Sequence, residues 1–274
     1  MKSARNSWRQ IKAALLAAMF CMLMASATAH ATAIAFGGGV IAGCTLSDMT
    51  YTCASSPSSF DDAIAIGVNY IVKVNGSGDL LAFTAALGVN SVVNGNLISA
   101  STVALGIGAY VTGNLTAGTT VALGIDAYVV RNLTAGATVA MGVGSYVGRN
   151  LTAGTTVALG VKSYICLNLT ALTVAMGANS FVHRNLTATT ATLGAGAYVN
   201  RDLTAVTVTV GANGYVNGVL AAGTTATLGA GVCFGSKGPG AATYTIGAGA
   251  GEGVCPLIRP HTSCSPVIYG RENY

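Results

Sequence analysis

The chain has 274 residues, of which only 8% are charged and 52% hydrophobic, with 37 glycines. That is far from an ordinary globular mixture, and after residue 31 no run of 18 apolar residues occurs, so no later transmembrane helix is expected. The formal net charge of +5 is concentrated at the N-terminus: without Lys2, Arg5, Arg9 and Lys12 the chain keeps 9 basic against 8 acidic residues, too little excess to bind a nucleic-acid backbone.

Residues 1–31 read as a targeting segment. The basic stretch "MKSARNSWRQIK" leads into the apolar "AALLAAMFCMLMASATA", and "AHA" at 29–31 has the small-x-small form of a cleavage site. This predicts a secretory signal peptide cut near Ala31, with the rest of the chain exported to the periplasm, the cell surface or the medium. Export permits disulfides. Six cysteines follow the predicted cut: Cys44, Cys53, Cys166, Cys233, Cys255 and Cys264.

Residues 32–60 break the pattern that follows and are expected to form an N-terminal cap, with Cys44–Cys53 as its disulfide. From residue 61 to 235 the chain repeats itself. Alignment on "NL" gives units starting at Asp79, Asn96, Asn114, Asn132, Asn150, Asn168, Asn185, Asp202 and Val219, with a period of 17 or 18. In the shorter units "NLTAGTTVA" contracts to "NLTALTVA", "NLTATTAT" and "DLTAVTVT". One tolerated deletion site marks a corner. Residues 236–274 lose the period and are expected to form a C-terminal cap or tail. Cys233, Cys255 and Cys264 leave their pairing open. Cys166 is about four coils from Cys233, roughly 19 Å, and is expected to be free or paired with a folded-back tail.

Within the unit from Asn114, apolar residues fall at Leu115, Ala117, Val121, Leu123, Ala127 and Val129. Alternation inside a strand puts each pair on one face, and the four-residue steps skip corners. A helix would need apolar residues at i, i+3, i+4 and i+7. The spacing therefore predicts an all-β fold: a single-stranded, triangular parallel β-helix of about nine or ten coils, three short strands per coil, sealed at both ends.

The intervening residues form outward rows. One is Thr84, Thr102, Thr120, Thr138, Thr156, Thr173, Thr190, Thr207 and Thr225, joined two residues on by Thr192, Thr209 and Thr227 in the last three coils. This flat, small, neutral face is a candidate binding surface. A second row is Thr116, Thr134, Thr152, Thr170, Thr187 and Thr204. The remaining face carries an aromatic ladder, Tyr110, Tyr128, Tyr146, Tyr164, Phe181, Tyr198 and Tyr215, with Arg131, Arg149, Arg184 and Arg201 near its corner. Either ladder serves stability or binding, because identical side chains stack well in sheets. Asn114, Asn132, Asn150, Asn168 and Asn185 each open an N-L-T sequon, but a recurring corner asparagine that bonds its neighbours explains them better.

Catalytic signals are sparse. After residue 31 only His183 and His261 remain, no carboxylate pair recurs beside them, and no Cys/His cluster has metal spacing. The "LG" text resembles hexapeptide-repeat acyltransferases, which need a general base that these coils do not supply. No enzyme activity and no cofactor are expected.

The run "VNGNLISASTVALGIGAYVTGNLTAGTTVALG" resembles the polymer-forming bactofilin family over about residues 79–235. The resemblance implies a non-catalytic, right-handed β-helix that stacks end to end into filaments, with a second copy as partner. The signal peptide and the cysteine-rich ends depart from that family and point to an exported structural role. The threonine face bears a weaker similarity to β-helical ice-binding proteins, which implies ice as the partner surface. A third alternative is an adhesin or matrix protein that binds an envelope polymer through the Tyr/Arg face.

Overall fold

A computed structural model describes residues 32–76, 78–239, 243–253 and 255. The predicted signal peptide and Cys264 lie outside the described residues. The chain is an all-β solenoid of about 11 turns, with 31 strands in one continuous hydrogen-bonded sheet.

One turn shows how the sequence builds it. In the unit from Asn114, the third face is Leu115–Ala117, the first face Thr120–Leu123 and the second face Tyr128–Val129. Each strand pairs in parallel with its counterpart one turn on: Leu115 with Leu133, Thr120 with Thr138, Tyr128 with Tyr146. The six residues expected inside, Leu115, Ala117, Val121, Leu123, Ala127 and Val129, are all buried. The core is a narrow column of Leu, Val, Ala, Ile and Met. Each coil's backbone edge is satisfied by the next, which is why the chain repeats itself.

The corner between the first and second faces is tight. Gly124, Gly142 and Gly160 stack in column there, and a Cβ on Gly142 would lie 2.6 Å from the carbonyl carbon of Gly124. Two residues on, every turn places one residue in the left-handed region, among them Asn90, Asp126, Lys162, Asn179 and Asn213, with glycine at 108, 144, 196 and 231. Asp126 and Lys162, isolated charges in the sequence, are there as turn residues. The following position is often a serine that closes the corner: Ser145 Oγ donates to Gly142 O at 2.8 Å and Ser180 Oγ to Gly177 O at 2.7 Å.

The deletion site does lie at a corner, between the third and first faces. Gly154–Thr155 in an 18-residue turn becomes Leu172 alone in the next, yet Leu151 still pairs with Leu169 and Thr156 with Thr173. The register absorbs the missing residue without moving either strand.

Both ends continue the ladder beyond the residues where the period breaks. Strand β1 (Ala33–Phe36) pairs in parallel with Ala63–Ile66, and β3 (Thr50–Cys53) with Ile71–Val74. Between them β2 (Cys44–Ser47) pairs antiparallel with β3, setting Cys44 opposite Cys53, and the two are joined as a disulfide. At the other end Thr243–Ile246 pairs with Thr225–Leu228, and Cys233 is bonded to Cys255. The solenoid therefore continues past residue 235, with the 18-residue spacing kept on the first and second faces. Aromatic residues plug both ends of the aliphatic core. Phe36 packs edge-on to Tyr51 at 5.1 Å, and the Tyr51 hydroxyl donates to Gly39 O at 2.9 Å while accepting from Gly38 N. Phe234 stacks with Tyr244 at 6.5 Å, and the Tyr244 hydroxyl donates to Leu220 O at 3.0 Å.

Candidate binding faces

The first face holds the long threonine row in unbroken register from Thr120 to Thr225. Its beginning is not available for contact. Thr84 is buried, and the Thr102 hydroxyl is buried without a hydrogen-bond partner among the described residues. Thr120, Thr138 and Thr156 are half-exposed and Thr173 is exposed.

The second rank is longer than the sequence period suggested. Thr192, Thr209 and Thr227 stand beside Thr190, Thr207 and Thr225, and the strand Thr243–Ile246 adds Thr243 beside Thr225 and Thr245 beside Thr227. Thr192, Thr209, Thr225, Thr227, Thr243 and Thr245 are all exposed. Neighbouring coils stand about 4.8 Å apart and residues i and i+2 about 6.7 Å, so four coils present a two-by-four grid of hydroxyls. The signal for the fourth pair was in the text: "TYTIGAG" repeats "TATLGAG" at a spacing of 18.

The aromatic ladder is largely folded onto itself. Tyr110, Tyr128 and Tyr146 follow one another at ring distances of 6.0 and 5.4 Å, and Tyr164, Phe181, Tyr198 and Tyr215 at 6.0, 4.9 and 6.1 Å. Tyr146, Phe181 and Tyr198 are buried although they point away from the core. Burial raises the pKa of the Tyr198 and Tyr110 hydroxyls, with Tyr128 adding to the rise at Tyr110. Cys166 is a buried thiol outside any disulfide, and its Sγ donates to the Tyr146 hydroxyl at 3.0 Å. His183 stands against the Phe181 ring at 5.7 Å. Its pKa is lowered by burial first and by Arg184 and Arg201 second.

The sequon asparagines form an internal ladder. Each side-chain oxygen from Asn96 to Asn185 accepts the backbone N–H of the residue one coil on, and Asp202 does the same for Val219. Their recurrence is a requirement of the corner. Among the described residues no group of three His, Cys, Asp or Glu side chains is placed to hold a metal. The solenoid thus offers a hydroxyl grid, a half-covered aromatic ladder and, at one corner, a file of arginines. No family model matches the chain, nor does any curated protein or solved structure.

Proposed function

We propose that the chain is a non-catalytic, exported β-solenoid that lays its first face on an ordered, repeating surface, and that the surface is ice. The observation that carries this reading is the paired rank of threonines from Thr190/Thr192 to Thr243/Thr245, all exposed except the half-exposed Thr190 and Thr207, held in register by parallel strands. Hydroxyl and methyl groups on a fixed grid can order water, whereas a lone small ligand has no use for eight equivalent positions. Two disulfides agree with an oxidising compartment. The test is ice-recrystallisation inhibition by the refolded chain lacking residues 1–31. Inhibition is expected, with most of it lost in Thr209→Tyr, which puts a bulky ring at the centre of the grid. An inactive parent ends this reading, and an unimpaired Thr209→Tyr variant removes it from this face.

A second reading is a self-assembling structural rod. It is favoured by the two end strands of the first face, β1 and Thr243–Ile246, each of which pairs on one side only among the described residues. The antiparallel β2 argues against end-to-end stacking, because it covers the edge of β3 on the second face. The Leu81 backbone, on the third face, is likewise engaged by Ser56 and Ser58. Electron microscopy of the purified chain separates the two readings: filaments support assembly, and monomers at all salt concentrations exclude it.

A further inference from the structure

The corner between the second and third faces carries Arg131, Arg149, Leu167, Arg184 and Arg201 in single file. Arg149 N donates to Arg131 O, Leu167 N to Arg149 O and Arg184 N to Leu167 O, each at 3.1 Å, and Arg201 N donates to Arg184 O at 3.3 Å. At about 4.8 Å per coil the file is roughly 19 Å long. All four arginines are exposed, and among the described residues none is ion-paired with a carboxylate. The carboxylate nearest in sequence is Asp202, and its Oδ1 accepts the Val219 N–H at 2.8 Å.

A row of hydroxyls runs beside the file. Thr134, Thr152, Thr170, Thr187 and Thr204 are exposed on the third face and pair coil to coil in register. Each arginine has its threonine three residues on in the same turn. Four exposed arginines filed along one corner concentrate positive charge on a chain of low charge, and a bound anion would offset their repulsion. Their field already reaches His183, which Arg184 and Arg201 help to keep neutral.

We propose that this Arg/Thr strip binds a linear acidic polysaccharide, a chain of uronate sugars, along the solenoid axis. Guanidinium forks suit carboxylates at regular intervals, and the threonine row suits sugar hydroxyls between them. A single-stranded nucleic acid fits less well. It needs free aromatic faces for its bases, and here Phe181 and Tyr198 are stacked on each other at 4.9 Å with an interplanar angle of 7°. The strip lies apart from the threonine grid of the first face, so this inference and the ice reading stand or fall separately.

The experiment is calorimetric titration of the chain lacking residues 1–31 with sodium polygalacturonate, neutral dextran and poly(dT), at 50 and 300 mM salt. Binding to polygalacturonate is expected at low salt, weaker at high salt, with none to dextran. The quadruple variant Arg131→Gln, Arg149→Gln, Arg184→Gln, Arg201→Gln should lose about tenfold or more in affinity, while Lys162→Gln, at another corner, should bind as the parent does. Circular dichroism confirms that the quadruple variant keeps its strands. Absence of polygalacturonate binding, equal binding by the quadruple variant, or tighter binding of poly(dT) would each overturn the proposal.

Discussion

Asn114 Oδ1 accepts two hydrogen bonds from Asn132, one from its backbone N–H at 3.2 Å and one from its side-chain Nδ2 at 3.1 Å. Asn132 Oδ1 accepts the same pair of bonds from Asn150, and Asn150 Oδ1 from Asn168. The file starts on Asp79, which accepts from Asn96 Nδ2 at 2.8 Å, and it ends on Asp202. Both ends are thus carboxylates, which accept but cannot donate.

This ladder predicts the cost of breaking one rung. Asn150→Ala removes the acceptor of the Asn168 N–H and one donor to Asn132. With a half-buried N–H left unpaired, the loss should be about 1–3 kcal/mol. Asn150→Asp keeps the acceptor, loses the donor and should cost less. Chemical denaturation of both variants checks the order, and an Ala variant as stable as the parent would mean the ladder is ornamental.

Close stacking at the tight corner gives a second prediction. In Gly142→Ala the new methyl meets the Gly124 carbonyl oxygen at 2.7 Å and the Ile125 nitrogen at 2.9 Å. These are backbone atoms held by the sheet, so they cannot move aside cheaply. A loss of about 2–3 kcal/mol is expected. Gly37→Ala serves as control, because nothing lies within 4 Å of its added Cβ, and it should change stability by less than about 0.5 kcal/mol.

The centre of the fold was legible because its determinants are local and repeated. Leu115, Val121 and Val129 recur at fixed spacing, so a single unit predicts every inward position. The ends were not legible in the same way. β1 and β3 make a coil, but the hairpin residues between them interrupt the period, and alignment by period cannot see through an insertion. The strand holding Thr243 and Thr245 is hard to see in the sequence because the third-face text "NLTA" does not precede it, although the first-face text persists. Burial of the aromatic ladder was also out of reach. Position in a strand says that Tyr146 points outward, and only the packing of neighbouring rings and of Cys166 shows that it is covered.

Stability in a solenoid is a chain of neighbour contacts, so its weakest points are the two terminal coils. Each is held by one disulfide, Cys44–Cys53 across 9 residues and Cys233–Cys255 across 22. Reduction should cost about 3 kcal/mol at the longer loop on the chain-entropy account. Hydrogen exchange after mild reduction should lose protection first in Ala33–Cys53 and Cys233–Glu252, with Thr120–Leu193 unchanged. Uniform loss along the chain would show that the rod unfolds as one unit and that the ends are not its separate caps.

His183 should make the rod sensitive to mild acid. Burial and the two neighbouring arginines lower its pKa in the folded chain below the ordinary value of 6.5. The unfolded chain therefore takes up a proton before the folded one does as the pH falls. The stabilising contribution of the neutral imidazole is complete above about pH 6.5 and is lost as the pH drops from there through the folded-state value. Thermal melts between pH 7.5 and 5 should show a falling midpoint. In His183→Asn, the residue found one coil on at Asn200, the same melts should be flatter over that window. Equal slopes for the parent and His183→Asn would mean that folding does not lower the pKa of this imidazole.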